Sequence, residues 1–345
     1  MAGAGGSRCP PGRLLRALAL LVTGLGALSG VRAVPQQEQY PVDLMRHNYI
    51  YGDSKHEVNV YVKVSSNSPV LVCMNLALSQ EELIDPKYLW IGPNGKKLKE
   101  EKHVELEETG KLILMDFKEW MSGAYTCTLF HKIMPTIRQE GREKAETYRF
   151  MVYAYREADH TYQGFAHFVT KTCELAANEE FFEKLKKMLN DLISDLTCHL
   201  AESSYRCHYI RTPEQGLQHE LFVSFQVNPF APGWEEVCHQ APSDCQDVTN
   251  MRVHKARDRI QEVFKKMTSV LAEFETVPSI HYVDKSFSVF PIDSCRPGFG
   301  KNNLTHRLCA NCCVVCEPGT YSPNNDVTCQ ICAKPEVQKY GARHC

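Results

Sequence analysis

Cysteine placement restricts this chain more than any other property. Eight of its 16 cysteines fall in the last 51 residues, at positions 295, 309, 312, 313, 316, 329, 332 and 345. A stretch this short and polar cannot enclose enough apolar surface to hold itself folded, so crosslinks must do it. It repeats internally: CRPGFG (295–300) and CANC (309–312) are followed by CEPGTYS (316–322) and CQIC (329–332). The Pro-Gly after each leading cysteine marks a turn. Two other chemistries compete for these thiols. The two CxxC pairs are sixteen residues apart, which also suits a zinc ribbon, but one four-ligand site leaves Cys295, Cys313, Cys316 and Cys345 unexplained. A redox CxxC sits at a helix N-terminus that lowers the attacking thiol's pKa. Here both pairs lie in Gly/Pro-punctuated loop, and disulfides are expected.

The N-terminus agrees with an oxidising compartment. Arg8, Arg13 and Arg16 lead, an apolar run covers 14–28, and Val31-Arg32-Ala33 supplies small residues before a cut. This is the order of a secretory signal peptide over 1–33, with cleavage after Ala33. Loss of a leader with four Arg and no acid moves the net charge from −2 to −6 and removes Cys9. Fifteen cysteines remain, so at least one thiol is free or bonded to another chain; the adjacent Cys312 and Cys313 are the candidates for that role. No later segment is apolar enough to span a bilayer, and the acidic balance gives no electrostatic case for nucleic acid.

Three regions follow the leader. The first, 34–157, carries short alternating strands such as VYVKV (60–64), VLVCM (70–74), YLWI (88–91) and AYTCTLF (124–130) after an N-terminal extension. Cys73 and Cys127 lie 54 residues apart, Trp90 falls between them, and Tyr125 precedes the second cysteine by two. That is the immunoglobulin-sandwich pattern, with a Cys73–Cys127 inter-sheet bond, Trp90 packed on it and Tyr125 as corner tyrosine. Met121 stands where such domains usually carry an Asp, so that acid's salt bridge is not expected.

The second region, 158–291, reads as α+β. An apolar stripe through Phe181, Leu185, Leu189, Leu192 and Leu196 predicts an amphipathic helix over 178–196 with Asn178 as N-cap, and a second helix is predicted over 250–274. Strands are predicted at 167–173, 205–210, 217–227 and 281–290. The order βαββαβ is that of a ferredoxin-like sandwich. Cys173, Cys198, Cys207, Cys238 and Cys245 would staple this domain, with one partner elsewhere. The third region, 292–345, is the cysteine-rich repeat module, whose loop carries the sequon Asn303-Leu304-Thr305, a glycosylation site by pattern.

Catalytic motifs are missing from the sequence. HELFV (219–223) starts as a zincin helix but has Val223 where the second His is needed, and no G-x-S-x-G elbow or phosphate loop occurs. No catalytic, cofactor or metal residue is therefore nominated, and the chain is read as a non-enzyme.

Several segments together resemble one family. ELIDPKYLWIGPNGK (82–96), MSGAYTC (121–127), VYAYRE (152–157), FQVNPFAPGW (225–234), SCRPGFGKN (294–302), CCVVCEPGTYSP (312–323) and YGARHC (340–345) are similar to the zona pellucida-binding proteins of the sperm acrosome, most nearly the second paralogue. The resemblance spans essentially the mature chain. It implies a secreted protein of the acrosomal matrix and membrane, with roles in acrosome assembly and in sperm adhesion to the egg coat. It also implies zona pellucida glycoproteins and proacrosin as partners. The alternative expectation is a purely structural, disulfide-crosslinked component of the acrosomal matrix that does not touch the egg coat.

Overall fold

A computed structural model describes residues 49–345 apart from 101, 134–141, 174, 213–215, 241–244, 273–279, 303, 324–327 and 334–336. The leader over 1–33 and Asn303 therefore lie outside the described residues.

The first eight strands are β1 (Tyr49–Tyr51), β2 (Val58–Lys63), β3 (Val70–Val72), β4 (Ile84–Ile91), β5 (Val104–Leu106), β6 (Lys111–Leu114), β7 (Gly123–Ile133) and β8 (Arg142–Arg156). They form two sheets, one ordered β1-β3-β6-β5, the other built on β4-β7-β8 with β2 parallel to β8. Alternation drives the arrangement: the inward residues of β7, Tyr125, Cys127 and Leu129, are buried. Cys73, one residue past β3, joins Cys127 of the facing sheet with a Cα–Cα distance of 5.7 Å. Trp90 is 1% exposed, lies 5.5 Å from the Phe150 ring, and donates its indole N–H to the Gly110 carbonyl at 3.1 Å. Gly110 is at φ +79°, and a Cβ there would stand 2.2 Å from the Tyr88 ring, so only glycine fits. Tyr125 donates its hydroxyl to the Met121 carbonyl at 2.8 Å, and Met121 is itself buried.

The middle of the chain holds β9 (Asp159–Thr170), α1 (Leu175–Ile193), β10 (His199–Thr212), β11 (Gly216–Asn228), α2 (Trp234–His239), α3 (Cys245–Lys265), α4 (Met267–Ala272), β12 (Ile280–Tyr282) and β13 (Ser288–Ser294). The sheet runs β10-β11-β9-β12, with β13 also on β9, and every pairing is antiparallel. One face of the sheet, through Tyr162, Ala166, Phe168, Leu221, Val223 and Phe225, forms one core with Phe181, Leu185 and Leu189 of α1 and Val253, Ile260 and Phe264 of α3. Each of the fully buried Val, Leu, Ile and Phe side chains among them contributes roughly 1.5–3 kcal/mol.

Local differences from the sequence expectation have physical causes. Asn178 is not the N-cap, because α1 starts three residues earlier, at Leu175. Its side chain is buried instead, donating to the Thr172 carbonyl at 3.1 Å and accepting from Thr170 Oγ1 at 3.3 Å. The second long helix starts at Cys245 rather than 250 and breaks after Lys265. The last predicted strand is two strands, interrupted by a turn with Lys285 at φ +63°.

The tail adds β14 (Phe299–Gly300), β15 (Cys313–Val315), β16 (Thr320–Tyr321) and β17 (Gln330–Ile331). β15 pairs with β8 through Cys313↔Arg156 and Val314↔Tyr155. β2 already holds one edge of β8 at Tyr155, so β15 takes the edge that β7 leaves after Gly123↔Val152. Cys295, Phe299, Cys313 and Val315 accordingly belong to the core of the first sandwich. His306, 4% exposed, is wedged against Tyr153 (4.8 Å between centroids) and meets the Tyr61 hydroxyl at 3.1 Å. Burial holds its pKa below the ordinary imidazole value, against the pull of Glu317.

Among the described residues, fourteen cysteines are paired within the chain. The tail pairs are Cys295–Cys313, Cys309–Cys312, Cys316–Cys329 and Cys332–Cys345, and the middle pairs are Cys173–Cys207 and Cys238–Cys245. The expectation that Cys312 or Cys313 is free or interchain is thus corrected. Cys312 closes CANC on itself and Cys313 reaches back to Cys295, with Cα–Cα distances of 5.2 and 5.4 Å. Among the described residues the free cysteine is Cys198, 2% exposed at the foot of β10, and burial pushes its thiol pKa up to about 12. The expectation that all five middle-region cysteines are bonded, one of them to a partner elsewhere, is likewise corrected: four pair among themselves and Cys198 has no partner among the described residues.

Candidate interaction surface

The helices cover one face of the middle sheet and leave the other open. Strand alternation sends residues 163, 165 and 167 of β9, 222 and 224 of β11, 204 and 206 of β10, and 288 and 290 of β13 to that open face. The register lines them up in rows. Arg206, Phe222 and His167 sit side by side, then Ser204, Ser224, Phe165 and Ser288, then Gln226, Gln163 and Phe290.

Aromatic rings dominate the open face. Phe165, Phe222 and Phe290 are 43%, 41% and 52% exposed, where such positions on a half-buried sheet are ordinarily polar. The His167 ring lies flat on Phe222, with centroids 4.5 Å apart and planes 3° apart, and its Nε2 is 3.1 Å from the Glu220 carboxylate. Phe165 and Phe290 meet at 6.1 Å. The Ser204 and Ser224 hydroxyls are 2.9 Å apart. Between these side chains lies a shallow cavity of about 600 Å³, reached by Arg206 and Ser288. Arg206 is exposed and its side chain makes no ion pair or hydrogen bond among the described residues.

A second cleft, of about 550 Å³, lies where the three regions meet. Its cations are already matched. Arg296 binds Asp159 through two bonds of 2.6 and 3.0 Å, Arg156 pairs with Glu119 at 3.4 Å, and Arg343 pairs with Glu235 while lying 5.1 Å over the Trp234 ring. This cleft is a clasp between parts of the chain. The outer faces of the first sandwich are solvated by pairs such as Lys132–Asp85 (2.6 Å) and Arg149–Glu57 (2.7 Å), with Trp120 as an exposed ring edge-to-face with His103 at 5.9 Å.

None of the nominated site residues that the structure describes lies on the open sheet face. Cys73 and Cys127 are in the sandwich core, Cys312 and Cys313 are in tail disulfides, and Asn303 is outside the described residues. Phe165, Phe222, Phe290 and Arg206 were missed. The readable signal was aromatic residues at the polar phase of strands whose other phase is apolar, as in Leu221-Phe222-Val223.

Comparison with known proteins identifies the relatives. Residues 57–156 match the model of the zona-pellucida-binding protein (Sp38) N-terminal Ig domain, and residues 295–345 match that of the Sp38 C-terminal EGF-like domain. The chain is 54% identical over 351 residues to zona pellucida-binding protein 2 of Gallus gallus, covering 100% of both. It is 47% identical to zona pellucida-binding protein 2 of Rattus norvegicus, covering 95% of this chain and 99% of that one. Zona pellucida-binding protein 1 of Mus musculus is 33% identical, covering 100% of this chain and 95% of that one. Among solved structures, murine CEACAM1b matches at 9% identity and a TM-score of 0.22, covering 47% of this chain and 82% of that one, a likeness too slight to build on. Identity to the type 2 proteins exceeds that to type 1 over nearly the whole length, and the chain belongs to the zona pellucida-binding protein family, with paralogue 2.

Proposed function

We propose that this chain is a secreted, non-enzymatic adhesion protein of the sperm acrosome. It binds zona pellucida glycoproteins of the egg coat and takes part in acrosome assembly, with proacrosin and other acrosomal matrix proteins as partners in the granule. In this reading residues 1–33 are the cleaved signal peptide and Asn303 carries a glycan. The observation that carries it is similarity over the full length to proteins named for zona pellucida binding. Seven intrachain disulfides agree with an oxidising compartment, and among the described residues no helix is long and apolar enough to cross a membrane.

The crosslinked-scaffold alternative has less support, because the free thiol among the described residues is the buried Cys198. We also read the chain as an immunoglobulin-like domain over 34–157, a ferredoxin-like domain over 158–291 and a cysteine-rich module over 292–345. The ferredoxin-like reading is supported by the antiparallel order β10-β11-β9-β12 and by two long helices on one sheet face. The test is binding of the full secreted chain to intact zona glycoprotein. Saturable binding is expected, and a chain that folds with its disulfides yet shows none would overturn the adhesion role.

A further inference from the structure

We propose that the open face of the middle sheet, at Phe165, Phe222 and Arg206, is a site for an acidic oligosaccharide. The proposal deepens the adhesion reading and rests on it.

Size argues for a small ligand. Four strands spaced about 4.8 Å apart and three rows about 7 Å apart give the aromatic and hydroxyl patch an edge of roughly 14 Å, so about 200 Å². A stable protein interface needs about 800 Å² from each partner. The patch is the wrong scale for a second copy of the chain or a folded partner, and the right scale for a short run of sugar rings.

Chemistry then selects the class. A sugar ring presents an apolar face of C–H groups and a rim of hydroxyls, so its site needs an exposed flat ring with hydroxyl partners beside it. Phe222 is that ring. The cross-strand His167 stacks on one face of the ring, with the Glu220 carboxylate 3.1 Å from the imidazole, and His208 borders it at 5.9 Å, so the platform is set before a ligand arrives. Phe165 lies one row away, with Ser204, Ser224 and Ser288 in the same row. Arg206 is the cross-strand neighbour of Phe222 and has no carboxylate partner among the described residues. Its uncommitted guanidinium, five N–H donors in a planar fork, complements a sulfate or carboxylate on the bound sugar. A single cation in a chain of net charge −2 does not suit a nucleic acid, which is held by many.

The test uses the full secreted chain and two matched sets of probes: sialylated or sulfated lactosamine oligosaccharides and their neutral counterparts. Wild-type chain is expected to bind at least one acidic form about tenfold more tightly than the neutral one. Arg206→Gln should erase that preference while keeping the neutral affinity, and Arg206→Lys should restore part of it. Phe222→Leu should weaken binding of both forms by about tenfold. These side chains are exposed, and unchanged thermal unfolding and disulfide maps confirm that the variants fold. Failure of the wild-type chain to bind any acidic probe overturns the proposal, as does wild-type binding by Arg206→Gln and Phe222→Leu. Equal binding to intact and enzymatically deglycosylated zona glycoprotein also overturns it, while leaving adhesion standing through protein contacts. Binding of acidic probes through Phe222 and Arg206 with no binding to zona glycoprotein would instead sink the adhesion reading alone.

Discussion

Replacing Asp159 by Ala should destabilise the folded chain more than almost any other single change. Asp159 and Arg296 form a two-bond ion pair with side chains 1% and 5% exposed. Removing one member of such a pair leaves a buried charge without a counter-ion, which costs about 3–5 kcal/mol. The upper half of that range applies here, because both side chains of the pair are almost wholly out of water. Arg252 is buried near it, and desolvation followed by the nearby Arg296 pushes the Arg252 pKa down. A loss of about 4 kcal/mol is a large part of the 5–15 kcal/mol that typically separates folded from unfolded. The assay is equilibrium urea unfolding with disulfides intact, followed by tryptophan fluorescence. Trp90 reports the sandwich core and Trp234 the cleft where the regions meet, over a background from the exposed Trp120. The paired replacement Asp159→Leu with Arg296→Met removes both charges and should recover most of the loss, since an apolar pair needs no counter-ion. Singles costing under about 1 kcal/mol, or a double as costly as the two singles summed, would refute the reasoning.

Four further outcomes are expected. Tyr125→Phe removes the hydroxyl that donates to the Met121 carbonyl and should cost about 1 kcal/mol in the same unfolding assay. Cys198 should resist alkylation in the native chain at pH 8 and label fully in denaturant, because burial both shields its thiol and pushes its pKa up to about 12; peptide mapping reads the label. Stability should fall as pH drops below 6.5, the ordinary imidazole value, because burial depresses the pKa of His306 in the folded state and the unfolded chain binds the proton first. The His306 share of that slope is at most about 1.4 kcal/mol per pH unit until its folded pKa is passed, and His306→Gln should remove that share while leaving those of His199 and His254, whose pKa values burial also lowers. Gly298→Ala should loosen the tail, since its Cβ at φ +87° would stand 2.8 Å from the Gly341 carbonyl oxygen; faster native-state proteolysis within 295–345 is the readout.

What could be read from sequence follows from how locally each feature is encoded. The first sandwich was legible because Cys73, Trp90, Tyr125 and Cys127 are core residues whose spacing is set by the fold itself. The stripe of α1 was legible for the same reason, whereas its start was not. Asn178 carries the chemistry of a cap, but tertiary contacts with Thr170 and Thr172 use it inside the helix. The short α2 was missed because six residues show no period, and Trp234 there packs on Phe230 at 5.1 Å. Disulfide partners were open because spacing does not encode pairing: CANC closes on itself while both cysteines of the similar CQIC bond elsewhere. The open sheet face was hidden because Phe165, Phe222 and Phe290 are far apart in sequence and meet only through β-register.

The pairing of β15 with β8 also governs how the molecule responds to load. The chain leaves the first sandwich after Arg156 and re-enters its core at Cys295, so β9 to β13 are spliced into a sheet that closes again around them. The two crossings run side by side: Ser294 pairs with Asp159, and Arg296 grips the Asp159 carboxylate. A domain on a single strand swivels freely about it, whereas one on a double-stranded neck resists torsion and yields only by bending across the ribbon. The aromatic face is thereby carried at a set angle to the rest of the molecule, and a pull on that face is shared by two strands anchored in the sandwich.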